Sequence, residues 1–104
     1  MNINNYNKEI KFPKLRADLI ELILIYCIKG ELNLNLLYRN QKILPIKQNI
    51  IKRYLFFLIE FGLISYNGQK QIFTIKEKGL DLLNIIEDEK TNKKTDMQNT
   101  IITF

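Results

Sequence analysis

At Gly62 the spacing of the apolar residues changes from helical to alternating. Upstream, within residues 45–61, Ile46, Ile50, Ile51, Tyr54, Leu55, Leu58 and Ile59 recur at helical intervals. That pattern predicts an amphipathic helix, with Gly62 as its left-handed stop. Downstream, residues 63–66 and 71–75 read as strands on either side of Asn67-Gly68. Asn-Gly is a strong hairpin signal because both central positions of the tight turn need positive φ. Gln69 and Lys70 lengthen either the turn or the second strand. An amphipathic helix followed at once by a hairpin must bury one face of each in a common core.

The flanking segments supply that core. A helix is expected over residues 15–29, started at Pro13 and stopped at Gly30. Leu15, Leu19, Leu22, Ile23 and Tyr26 form one face, and Ile20, Leu24, Cys27 and Ile28 a second. Such a helix is buried on two sides or covers part of a dimer interface. Asn33 is a candidate N-cap for a short helix over residues 34–41. A turn at residues 43–45 follows, and Pro45 favours a new helix start. After the hairpin, a last helix is expected over residues 77–90, with Leu80, Leu83 and Ile86 closing the core. Thr91-Asn92 is expected to end it. Asp81, Glu87, Asp88 and Glu89 read as a solvated acidic face.

The ends carry little pattern. Residues 1–12 read as an Asn-rich arm, or as a lead-in packing Ile10 and Phe12 onto the core; the alternative is a DNA-touching arm through Lys8 and Lys11, with Glu9 between them. Residues 91–98 read as a linker or disordered segment. Residues 101–104 are apolar and strand-prone, and suit docking on this domain, docking on a partner, or fraying. The expected organisation is an arm (1–12), one domain (13–90) and a tail (91–104). The chain has 104 residues, enough for one small core.

Composition excludes several chemistries. There is no histidine and one cysteine, Cys27, within an apolar run. Neither an intrachain disulfide nor a cysteine-based metal cluster is available, and the Ser-His and Cys-His nucleophile pairs are excluded. No glycine-rich phosphate loop is present. The expectation is a non-enzymatic protein without cofactor or metal, with no small-molecule ligand evident. The longest apolar run, residues 19–28, is interrupted by Glu21 and is too short to span a bilayer. The amino terminus lacks the order of a signal peptide. A cytoplasmic protein without membrane attachment is expected.

Charge placement says more than the net +5. Arg39, Lys42, Lys47, Lys52 and Arg53 fall in one stretch without an acidic residue. Basic side chains of this kind contact phosphates and supply affinity without sequence information. Gln48 and Asn49, near the leading end of the helix, have amides that can bind adenine bidentately in the major groove. Lys70 on the hairpin reaches toward an adjacent groove or phosphate. Two helices joined by a short turn, then a hairpin, give a helix-turn-helix with a wing. The expected fold class is α+β, mainly α: a winged helix-turn-helix of three helices, a β-hairpin wing and a C-terminal helix.

Residues 36–40 (LLYRN), 50–58 (IIKRYLFFL), 60–64 (EFGLI) and 76–79 (KEKG) resemble the small archaeal winged helix-turn-helix regulators of the ArnR-like kind. The resemblance spans residues 19–86. It implies a DNA-binding fold, usually dimeric, acting in transcription or on chromatin, with Lys47, Gln48, Asn49, Lys52 and Arg53 as recognition residues. Two departures stand out. The interval from Tyr38 to Tyr54 is longer than the family's by about a turn, and Lys76 replaces a capping Thr before the last helix. The expected partners are double-stranded DNA and a second copy of the chain, joined through the first and last helices. The alternative is a protein-interaction adaptor without direct DNA binding, suggested by spare apolar surface on those helices and by the apolar residues 101–104.

Overall fold

The computed structural model describes residues 14–30, 32–93 and 100–103. It is a small α+β protein, mainly helical, with four helices and two antiparallel two-stranded sheets among the described residues. The expected arm at residues 1–12, the start at Pro13 and most of the expected linker lie outside the described residues.

The first described element is strand β1, Lys14–Arg16, where a helix was expected. Leu15 therefore does not belong to the first helix. The reason lies at the far end of the sequence. Strand β4, Ile101–Thr103, pairs antiparallel with β1, placing Leu15 opposite Ile102. The Ala17 N–H donates to the Thr100 carbonyl at 2.8 Å, extending the ladder. Of the three fates open to residues 101–104, docking on this domain is the one seen for the described ones. Leu15 is buried, and Ile102 packs against the core.

Helix α1 spans Ala17–Ile28 and is the centre of the molecule. Leu19, Ile20, Ile23, Leu24 and Cys27 are all buried. α1 contacts β1, strand β3 (Ile72–Ile75) and helix α4 (Glu77–Lys93). The two-faced apolar pattern thus corresponds to burial on two sides. Burial pushes the Cys27 thiol up to about 12, which suppresses the reactive thiolate. α1 stops where expected: Gly30 takes φ +97° and its N–H donates to the Cys27 carbonyl.

Helix α2 is short, Leu34–Tyr38, and ends before residue 41. The Asn33 side chain accepts from the Leu36 N–H at 2.8 Å, as its N-cap position predicts. Leu32, just upstream, bridges to Phe73, whose N–H donates to the Leu32 carbonyl at 2.8 Å. Helix α3 spans Gln48–Glu60. Pro45 lies in the preceding turn, and Lys47 is the N-cap residue. Ile51, Tyr54, Leu55 and Leu58 are its buried face.

α3 ends on a Schellman pair: the Gly62 N–H donates to the Ile59 carbonyl and the Leu63 N–H to the Leu58 carbonyl. Gly62 takes φ +75°, and Leu58 and Leu63 are both buried. Strands β2, Ile64–Asn67, and β3 then form the hairpin, with Asn67 opposite Ile72. The turn differs from the tight Asn-Gly form. It has four residues, 68–71, and Gln71 at φ +55° takes the left-handed position in place of Asn67 and Gly68. The Asn67 carboxamide oxygen accepts from the Gln69 and Lys70 N–H groups, which favours this longer turn.

α4 continues to Lys93, past the expected stop at Thr91-Asn92. Leu83 and Ile86 close the core, but Leu80 is exposed. The acidic face is also not uniformly solvated. Glu87 and Glu89 are half-buried, and Lys90 pairs at 3.4 Å with Glu21, a buried carboxylate of α1. No helix among the described residues is long and apolar enough to cross a membrane.

Candidate nucleic-acid interface

The approach to α3 is built around Asn40. Its backbone carbonyl accepts from the Ile43 and Leu44 N–H groups at 3.0 and 2.8 Å. Its side-chain oxygen accepts from the Lys42 N–H at 2.8 Å, and its Nδ2 donates to Tyr26 Oη on α1 at 3.1 Å. One side chain thereby folds the turn and fastens it to the central helix. Ile43 is buried beneath this turn, while Leu44 is exposed. Sequence reading missed the role of Asn40; its preference for turns was the available signal.

A second brace acts on α3 itself. The Tyr54 hydroxyl accepts from the Arg16 N–H of β1 at 3.0 Å. Arg16 also makes a paired contact with the buried Asp18, at 3.1 and 2.8 Å. Asp18 in turn accepts from the Leu19 N–H. A cleft of about 280 Å³ lies between this pair and the α2–α3 turn, lined by Arg16, Asp18, Lys42, Pro45 and Ile46.

The side chains singled out from sequence are all exposed. Arg39 is the C-cap of α2, Lys42 lies in the turn, and Lys47 is the N-cap of α3. Gln48, Asn49, Lys52 and Arg53 occupy the leading half of α3, opposite its buried residues or beside them. Lys70 sits in the hairpin turn. Two ion pairs occur among the described residues, Arg16–Asp18 and Lys90–Glu21, and neither uses any of these cations. The stretch from Lys42 to Arg53 contains no carboxylate. No carboxylate within the stretch itself offsets its positive charge.

The helix start is unusual for a structural helix. α3 has no side-chain cap and no acid in its first turn, and a lysine stands at its N-cap. A cation there opposes the helix dipole, and the leading N–H groups remain open to an anion.

The trailing half of α3 is not uniformly core. Tyr54, Leu55 and Leu58 are buried, but Phe56 is 58% exposed and Ile59 is also exposed. Phe56 stands seven residues after Asn49, three after Arg53 and four after Lys52, so it shares their outward face. The Phe57 ring meets it edge-on, with centroids 5.9 Å apart.

No group of three or more His, Cys, Asp or Glu side chains is placed to hold a metal ion among the described residues. No family model, curated protein or solved structure matches this chain.

Proposed function

We propose that this chain is a winged helix-turn-helix protein that binds double-stranded DNA, with α3 in the major groove and the β2–β3 hairpin as the wing. In this reading it is a cytoplasmic transcriptional regulator of the kind its ArnR-like segments suggest, without enzymatic activity or cofactor. The order of elements supports it: α1, the Leu32 bridge, α2, α3, a hairpin and a closing helix. One observation carries the functional part. The exposed, acid-free run from Lys42 to Arg53 presents four cations and the Gln48-Asn49 amide pair, and none of its cations is consumed by an ion pair among the described residues. Phosphates neutralise such a run, and the amides suit adenine edges.

A homodimer belongs to the same proposal, with a narrower interface than both terminal helices together. α1 is largely covered by its own neighbours, so α4 around Ile85, which is 59% exposed, is the better contact. That residue also supports a protein-interaction adaptor as the second reading.

Anisotropy titration of an A·T-rich duplex at several salt concentrations tests the proposal. Binding is expected to weaken with salt. Lys47→Glu combined with Lys52→Glu should lower the slope of log K against log salt by about 2, at roughly 0.9 for each phosphate no longer neutralised. Absence of binding at low salt, or an unchanged slope in the double variant, refutes it. Light scattering of the same sample decides the oligomeric state.

A further inference from the structure

We infer that Phe56 reads thymine: its exposed ring packs on the 5-methyl group of a thymine in the major groove, adding sequence preference to α3. This inference rests on the DNA-binding reading above.

An exposed phenylalanine on a helix is ordinarily a liability, and this one does not stand alone. Asn49, Lys52, Arg53 and Phe56 sit at positions i, i+3, i+4 and i+7, two turns on the side away from Ile51, Tyr54, Leu55 and Leu58. A partner that covers Phe56 also meets two cations and an amide. That combination matches a surface with anionic edges and an apolar, hydrogen-bonding floor. The major groove of A·T-rich DNA is such a surface, with phosphates along its walls, adenine N6 and N7 on its floor and thymine methyl groups beside them. A purely apolar protein partner would leave Lys52 and Arg53 desolvated without compensation.

Geometry sets the register. At 1.5 Å per residue, Asn49 and Phe56 lie about 10 Å apart along the helix axis. Base pairs repeat every 3.4 Å or so, so a helix lying along the groove places the ring about three base pairs from the adenine read by Asn49. Glu60, one turn further, is exposed and repels phosphate, which ends the contact surface just past Phe56. The Phe57 ring meets Phe56 edge-on, and Phe56 stays more than half exposed beside it.

Replacing thymine by deoxyuridine removes the methyl group and leaves the phosphates and the base edges' hydrogen-bonding groups intact. The test compares an 18-base-pair alternating A·T duplex with its A·U counterpart, for the full chain and for Phe56→Ala and Phe56→Leu. The wild type is expected to bind the thymine duplex about fourfold tighter for each methyl group covered, the worth of one buried methylene-sized group. Phe56→Ala should reduce that ratio to about one while keeping the salt dependence and the circular dichroism of the wild type. Phe56→Leu should retain part of it. Equal affinity of the wild type for both duplexes, with binding intact, overturns the thymine contact and leaves the DNA-binding reading standing. A ratio in Phe56→Ala as large as in the wild type also overturns it. Absence of binding to either duplex removes both proposals. A wild-type dimer that becomes monomeric in Phe56→Ala without DNA assigns the ring to a protein contact and overturns the inference.

Discussion

Gly79→Ala should destabilise this protein strongly, although alanine is the better helix former. Gly79 lies in the first turn of α4 and is buried. A Cβ at this position would fall 2.2 Å from the Leu63 carbonyl oxygen and 2.7 Å from Ile75 Cγ1. Relief needs a separation of at least about 1 Å more from the oxygen, since carbon and oxygen in close contact sit near 3.3 Å. That oxygen is not free to move. It accepts the Lys76 N–H at 2.9 Å, and the Leu63 N–H is itself held by the Leu58 carbonyl. Overpacking against fixed backbone costs about 3 kcal/mol, and weakening the Lys76 hydrogen bond adds about 1 kcal/mol. The helix preference of alanine returns about 1 kcal/mol. The net loss is about 3 kcal/mol, or a fall in Tm of about 15 °C for a domain of this size. Urea and thermal unfolding followed by circular dichroism measure it. Gly68→Ala is the control, because its Cβ would meet only Tyr66 Cε2 at 3.9 Å and φ is not positive there. A Gly79→Ala variant as stable as the wild type would refute the close-packing account of α4 against the end of α3.

Two further outcomes follow from the ends of the molecule and from the α1–α4 contact. Ile102→Asp should cost about 2 kcal/mol in urea unfolding, because it removes an apolar residue from the core edge and uncovers Leu15; an unchanged midpoint would show that β4 adds nothing to stability. Burial, and then the Glu87 carboxylate, raise the Glu21 carboxyl above its ordinary 4.5, and the Lys90 ammonium only partly opposes them. The folded state therefore keeps a proton that the unfolded state has lost, and stability declines as pH rises from about 4.5 through the raised value. Glu21→Gln should flatten that decline and exceed the wild type in stability at neutral pH, whereas parallel stability–pH curves would refute the assignment.

Local chemistry made some of these features legible and hid others. The end of α3 was readable because a left-handed residue followed by an apolar one has few solutions, and Gly62-Leu63 is one of them. The hairpin was readable as a hairpin but not in its turn. Asn67 has a side chain able to accept two N–H groups, and that moves the positive φ from the Asn-Gly pair to Gln71. β1 and β4 were not readable together. Each is three residues long, too short for any period, and their partners come from opposite ends of the sequence. The candidate interface divides in the same way. Its cations and amides show in the sequence because exposed polar residues keep their meaning without tertiary context. Spacing alone puts Phe56 on the face of Asn49, Lys52 and Arg53, but that this face stays uncovered shows only once the neighbouring elements are placed.

The pairing of β1 with β4 also bears on the order in which the molecule is made. β4 leaves the ribosome after every other described element, so α1 through α4 are free to collapse before it is available. Among the described strand pairings this one closes the longest loop and carries the largest entropic penalty. Until it forms, β1 lacks its only paired strand among the described residues, and the Arg16 N–H that holds Tyr54 on α3 is donated from a strand that has yet to form its ladder. A nascent or clipped chain would thus hold α3 before the β1–β4 ladder that backs its brace at Tyr54.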